Sequence, residues 1–235
     1  MVKIRVSVFN ICSEALDLLR FSSEMAMRNA GTEFDYIIIL WNPSTEVEKF
    51  VSELQSKYPI VDDPNFRRDS KIKVFYYKTD KTFSFIENLR SAINLGFQKS
   101  FMLNPFATFI NTDMAFGREW LLNLVKYARE DRIVNCVQIE RFPTIHHQVK
   151  DFGEIPNVNM EDFELFAESI KEDMLMSEQE WQQRMGNNPY VRADATPNLL
   201  HISTFKELNG WDVTIDRTQP MPSDMDFFNR AKRMG

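Results

Sequence analysis

Glycine is scarce in this chain, seven residues in 235, and none falls in a GxGxxG, GxxxxGK[ST] or GxSxG pattern. Those gaps exclude a Gly-rich phosphate loop and disfavour Rossmann dinucleotide enzymes, P-loop NTPases and serine hydrolases. Cysteine is scarcer still: Cys12 and Cys136 are too few and too far apart for a disulfide framework or a thiolate zinc cage, so reduced thiols are expected. No apolar run reaches the roughly 18 residues that span a bilayer. Met1 to Phe9 lack a signal-peptide pattern, so a cytoplasmic location with no membrane span is expected. There is no excess of positive charge either, with 28 Lys and Arg against 34 Asp and Glu for a net charge of −6. Nucleic acid is therefore not an expected partner, while a local basic spot for a nucleotide diphosphate is allowed.

What is present is an ordinary globular composition, 43% hydrophobic and 26% charged, with 20 phenylalanines. This length suits one sizeable α/β core. Apolar periodicity predicts a strand at IRVSVF and a helix from Ala15 to about Ala26. A second strand follows at FDYIIILW, continuously apolar as if covered on both faces, and ends at Asn42 and Pro43. A Ser/Thr-capped helix, STEVEKFVSELQSKY, comes next. KIKVFYYK, TFSFIENLRSAINLGFQ and ATFIN continue the series as strand, helix and strand, then REWLLNLVKYARE as helix and RIVNCVQIERF as strand. Such alternation predicts a mainly parallel sheet with helices on its faces. Ligands of such sheets gather at the carboxyl ends of the strands, which places Asn10, Trp41, Asn42 and Asp113 along one edge.

The alternation breaks between Pro143 and Pro197, where loops flank the helical stretches MEDFELFAESIKEDM and SEQEWQQRM. This region is either an acceptor-binding insertion, at about 143–197, within a single domain, or a structural cap. NLLHIST then reads as a strand, FKELNGWD as a short helix and turn, and SDMDFFNRAKRM as a closing helix.

Asp113 ends a strand that otherwise reads as buried. A carboxylate there can hold a hard cation such as Mg²⁺ or Mn²⁺ together with phosphate oxygens, or it can cap the following helix. Asp224 and Asp226 open the last helix, where acids suit the helix dipole; a carboxylate at that position can also act as general base on a sugar hydroxyl. His146, His147 and His201 have no metal-ligand spacing with Cys or acidic partners. His201 is either a hydrogen-bonded structural residue in its strand or a ligand contact.

Four segments taken in order carry a resemblance: VSVFNICSEALDLLRFSSEMAM; YIIILWNPST; ENLRSAINLGFQ followed by TFINTDMAFGREWL; and LLHISTFKELNGWD followed by SDMDFFNRAKRMG. Together they resemble the glycosyltransferases of the GT-A fold, particularly the large inverting family two. That resemblance implies a three-layer α/β/α sandwich with a mainly parallel central sheet. It also implies that Phe9, Asn10, Ile11 and Cys12 surround the nucleotide base, with Trp41 and Asn42 standing where an acidic pair is usual; Trp41 could instead stack on or wall the base. Asn88 and Arg90 match the nucleotide-facing start of the third helix. Asn111, Thr112 and Asp113 match the Asp-x-Asp metal motif, with Asn in place of the first acid. Ser223 and Asp224 match the family's Glu-Asp pair, retaining the acid that serves as base.

The reaction so implied moves a sugar from a nucleotide-diphosphate donor, UDP by preference, to an acceptor hydroxyl with inversion at the anomeric carbon. A divalent metal at Asp113 would offset charge on the leaving diphosphate and Asp224 would deprotonate the acceptor. Trp211 offers a platform for the sugar ring or packs in the core, and Asp212 binds acceptor hydroxyls or closes the turn after Gly210. A catalytically inactive nucleotide- or nucleotide-sugar-binding protein of the same fold is the alternative. A sugar-phosphate nucleotidyltransferase is disfavoured by the absence of an early Gly-rich basic loop.

Overall fold

The structure, a computed structural model, describes residues 4–57, 72–82, 84–136, 139–140, 148–170, 197–214 and 223–234. The side chains of Lys57, Glu140, Gln148, Val149, Ser223, Asp224, Met225 and Lys232 lie outside that description, as do His146, His147 and the helical stretch expected around Trp181.

Four strands, β1 (Val6–Cys12), β2 (Asp35–Trp41), β3 (Ile72–Tyr77) and β4 (Phe106–Ile110), run parallel. The helices between them are α1 (Leu16–Arg28), α2 (Thr45–Lys57) and α3 (Phe85–Phe101). After β4 come α4 (Trp120–Tyr127), β5 (Val134–Asn135), β6 (Ile139–Glu140), β7 (Gln148–Val149), α5 (Met160–Ile170), β8 (Asn198–His201), α6 (Ile202–Glu207) and α7 (Ser223–Met234). The main sheet has the order β3-β2-β1-β4-β8-β5, and β8 runs antiparallel to both of its neighbours. Strands β6 and β7 pair separately. Within the expected strand RIVNCVQIERF, the described residues include two short strands that belong to two different sheets.

Strand alternation sorts the core into two layers. Val6, Val8, Cys12, Tyr36, Ile38 and Leu40 pack with Leu19, Ala26, Val47, Val51, Leu121 and Leu124, from α1, α2 and α4. Phe9, Ile37, Ile39, Ala107 and Leu200 pack on the other face with Ala92, Ile93 and Phe97 of α3, Phe205 of α6, and Trp211, Phe227 and Phe228. The result is the expected three-layer α/β/α sandwich with a mainly parallel sheet. Strand β2, the second in from the edge, is buried along six of its seven residues, as its unbroken apolar run predicted.

Candidate functional site

Strand β1 runs three residues past its expected end at Phe9, because it pairs on both sides: Cys12 stands opposite Leu40, and Asn10 opposite both Ile38 and Ile110. Residues expected in a nucleotide-facing loop therefore alternate between the two layers. Phe9 is fully buried between Phe97, edge-on at 4.8 Å, and Phe109, stacked at 5.1 Å. Asn10 faces the other layer, where its Nδ2 donates to Ser22 Oγ at 3.5 Å. Cys12 also lies in that layer, and burial pushes its thiol up to about 11. The side chains of Phe9, Asn10 and Cys12 are thus interior groups. Ile11, half-buried on the α3 face, is the β1 side chain closest to the edge on that side.

The end of β2 is tied down more firmly than the sequence suggested. Asn42 takes a left-handed conformation (φ 42°), which asparagine tolerates. Ser13 Oγ donates to Asn42 O at 3.2 Å, and Ser44 N to Ser13 O at 3.1 Å, joining the loops after β1 and β2. Trp41 donates from Nε1 to Thr79 Oγ1 at 2.9 Å, and Asn42 Nδ2 bonds the same hydroxyl. Over Trp41 lies Phe85, the first residue of α3, with ring centroids 5.0 Å apart; Tyr77 meets Trp41 edge-on at 6.4 Å.

Asn88 serves this corner as an organiser. Its Oδ1 accepts from Tyr77 Oη at 3.3 Å and Asp80 N at 3.1 Å, while its Nδ2 donates to the carbonyls of Asp80 at 3.2 Å and Ser84 at 3.0 Å. An Asn carboxamide has two donors and two acceptor positions, and Tyr77 of β3 with the backbone of Asp80 and Ser84 fills them. Asn88, expected to face the nucleotide, is buried here and bonded to this corner. A capping box between Ser84 and Glu87 then starts α3 and fixes Phe85 at its first position.

At the end of β4 the chain turns through Asn111, Thr112 and Asp113; Asn111 and Asp113 are exposed and Thr112 is half-buried. Across the sheet, β8 returns beside β4 in the opposite sense, pairing His201 with Phe106, the first residue of β4. His201 thus stands at the opposite end of β4 from Asp113. It accepts from Ser203 N to cap α6, which begins at Ile202 where a continuing strand was expected. Antiparallel pairing is what carries it away from the carboxyl edge.

The segment after α6 lies along α3. Asn94 exchanges both its amide groups with Trp211, accepting from Trp211 N at 2.8 Å and donating to Trp211 O at 2.9 Å. Trp211 is only 6% exposed, its ring stacked on Phe227 at 3.7 Å and Phe97 at 5.2 Å. Of its two sequence readings, the structure shows core packing. The backbone N–H and hydroxyl of Thr214 hold the carboxyl of Asp212 below its usual range, helped by the positive charges of Arg230 and Arg90. Arg90 itself is buried on α3.

Contacts with α7 run in order: Arg230 reaches Leu208 O and Gly210 O, and Phe227 meets Trp211. The first turn of α7, which holds Asp224, precedes both of these contacts along the helix. Arg230 holds this arrangement in place, with Nε on Asp226 Oδ2 at 2.7 Å and Nη2 on Gly210 O at 2.9 Å. Gly210 suits the turn because its φ is +69° and a Cβ there would lie 2.6 Å from Asn94 Oδ1. Arg230→Met keeps the stem but loses the charged donors, so urea titration is expected to show a stability loss of about 2–3 kcal/mol. Arg230→Lys should recover less than half of it, since an ammonium lacks the fork.

Phe85, Thr79, Tyr77, Asn94 and Arg230 were not singled out from the sequence. The one pattern that could have pointed to them is Ser-x-x-Glu at Ser84, likewise not singled out, which fixes where α3 begins and therefore where Phe85 stands.

No family model matches this chain, nor does any curated protein. Solved structures match its fold. The mannosyltransferase PcManGT from Pyrobaculum calidifontis, in complex with GDP-Man and Mn2+, has a TM-score of 0.60 at 10% identity, covering 98% of this chain and 52% of that one. S. aureus TarS 1–349 has a TM-score of 0.52 at 11% identity, covering 97% of this chain and 55% of that one. The 4-diphosphocytidyl-2C-methyl-D-erythritol synthase of Anaerococcus prevotii has a TM-score of 0.51 at 12% identity, covering 97% and 84%. The chain spans about half the length of the first two. At these identities the likeness shows a GT-A-like fold, shared by proteins named for different reactions.

Proposed function

We propose that the chain transfers a sugar from a nucleotide-diphosphate donor to an acceptor hydroxyl with inversion. One observation carries the reading: the carboxyl edge of the sheet has an aromatic corner at β2 and β3 and a carboxylate, Asp113, after β4. Three strand spacings separate β3 from β4, about 14 Å. A nucleoside diphosphate can cover that span with its base at one end and its phosphates at the other. Asp224, on the first turn of α7, is the proposed base, and Arg90 and Asp212 are proposed to line the donor and acceptor sides between them. His201 drops out of the proposed site because of its position.

Among the described residues no group of three or more His, Cys, Asp and Glu side chains gathers to hold a metal ion. A zinc-type cage does not fit such a donor set, whereas a hard cation sharing one carboxylate with diphosphate oxygens and water does. Asp113 would be that ligand, and the ion would offset charge on the departing diphosphate. The chain's own part in the reaction is proton transfer and orientation. Asp224 takes the acceptor's hydroxyl proton as its oxygen bonds to the anomeric carbon, while the bond from that carbon to the diphosphate oxygen breaks and its electron pair leaves with the diphosphate.

Calorimetry with UDP and GDP, with and without Mn²⁺, tests the binding half. Asp113→Ala is expected to abolish the Mn²⁺-dependent gain in affinity; an undiminished gain would remove Asp113 from the site. Donor turnover across UDP-, GDP- and dTDP-sugars tests the chemistry, with Asp224→Asn expected to slow it by about 10²- to 10⁴-fold. Nucleotide binding without any turnover, unchanged in Asp224→Asn, would leave a binding protein in place of a transferase. Pyrophosphate release from a nucleoside triphosphate would point instead to nucleotidyl transfer.

A further inference from the structure

Phe85 is 67% exposed, although it sits at the first position of a helix where a polar residue would serve equally well. Its ring is nonetheless fixed. Trp41 lies 5.0 Å beneath it at an interplanar angle of 34°, and Trp41 is only 9% exposed. Trp41 is in turn braced by Tyr77 and pegged through Nε1 to Thr79 Oγ1, and the Tyr77 hydroxyl is held by Asn88. The corner therefore presents one aromatic face to solvent and immobilises everything behind it. Such a surface stacks a planar ring without paying to order itself on binding.

Resting on the nucleotide-sugar reading above, we propose that Phe85 is the stacking platform for the donor's nucleobase, with Trp41 and Thr79 as its positioning residues. The position favours the base over the transferred sugar. Trp41 ends a strand two spacings from β4, about 10 Å from the strand that carries Asp113. Phosphates held at Asp113 would leave the base on the Trp41 side and the sugar beyond them. The exposed carboxamide of Asn42 lies next to the same peg and is placed to meet a base edge, and in the adjoining loop the exposed Lys78 and Lys81 outnumber the Asp80 carboxylate, which favours an anionic ligand. This moves the base away from the interior side chains of Phe9, Asn10 and Cys12 to the start of α3.

The test is calorimetric titration of UDP and GDP in the presence of Mn²⁺, with pyrophosphate as the probe that lacks a base. Phe85→Ala is expected to weaken the nucleoside diphosphate on the order of ten- to hundredfold while leaving pyrophosphate unchanged. Phe85→Tyr should bind as wild type does, because it keeps the ring. Thr79→Val should produce a smaller loss, again confined to the nucleotides, by freeing Trp41. Nucleotide affinity undiminished in Phe85→Ala would overturn the platform and leave the nucleotide-sugar reading standing. Equal losses for UDP and pyrophosphate would also overturn it, since they would report a distorted site. A wild-type protein that binds neither nucleoside diphosphate would overturn both.

Discussion

Gly96→Ala is expected to destabilise the protein by about 3 kcal/mol, at the upper end of overpacking costs, and to lower its thermal midpoint by about 6–12 °C. Helix α3 crosses β1 so closely that a Cβ at this position would lie 2.2 Å from Phe9 Cε2 and 2.3 Å from Cδ2. Such a contact is relieved only by moving the ring or the helix. The Phe9 ring is held between Phe97 and Phe109, and α3 is anchored at one end by the Ser84 capping box and along its length by Asn94. A smaller partner should relieve the clash, so Phe9→Leu in the Gly96→Ala background is expected to recover at least about 1 kcal/mol of coupling in a double-mutant cycle. A Gly96→Ala variant within about 0.5 kcal/mol of wild type would show that the helix does not pack this closely.

Trp211→Ala should cost about 3–5 kcal/mol, as truncation of a large buried aromatic does. The ring lies nearly parallel to Phe227 and Phe97, at interplanar angles of 6° and 12°, in the layer beneath the proposed site. Its Nε1 is buried with no hydrogen-bond partner among the described residues. Trp211→Phe therefore keeps the stack and removes a desolvated donor, and is expected to cost less than about 1.5 kcal/mol. Chemical denaturation and donor titration on the same two variants separate the roles. A sugar platform would lose affinity at unchanged stability; the core stack should lose stability first, with Trp211→Phe binding donor as wild type does.

The parallel sheet was legible because four strands and their helices repeat in order, with apolar runs whose length and spacing depend only on neighbouring residues. The start of α3 was legible only roughly, within TFSFIENLRSAINLGFQ; the structure places the Ser84–Glu87 capping box there and begins the helix at Phe85. The site was less so. Asn10 and Cys12 read as loop because polar residues interrupt the apolar run, yet pairing with β2 and β4 keeps them in the strand and turns their side chains inward. Asn88 matched a motif position, but it bonds Tyr77 and the backbone of Asp80 and Ser84, a corner that no local pattern reveals. His201 read as one of several strand residues, and the antiparallel return of β8 set it at the far end of β4 from Asp113.

Composition and periodicity alone determined the layer architecture, the strand ends as the place to look, and the presence of carboxylates at Asp113 and Asp224. These follow from which faces must be buried and which residues stop a strand or start a helix. Only the tertiary structure decided that Phe9 and Trp211 belong to the core, that His201 lies apart, and that Phe85 faces solvent over Trp41. Each of those depends on strand register or on contacts between segments tens of residues apart, and a side chain's exposure is fixed by what packs over it.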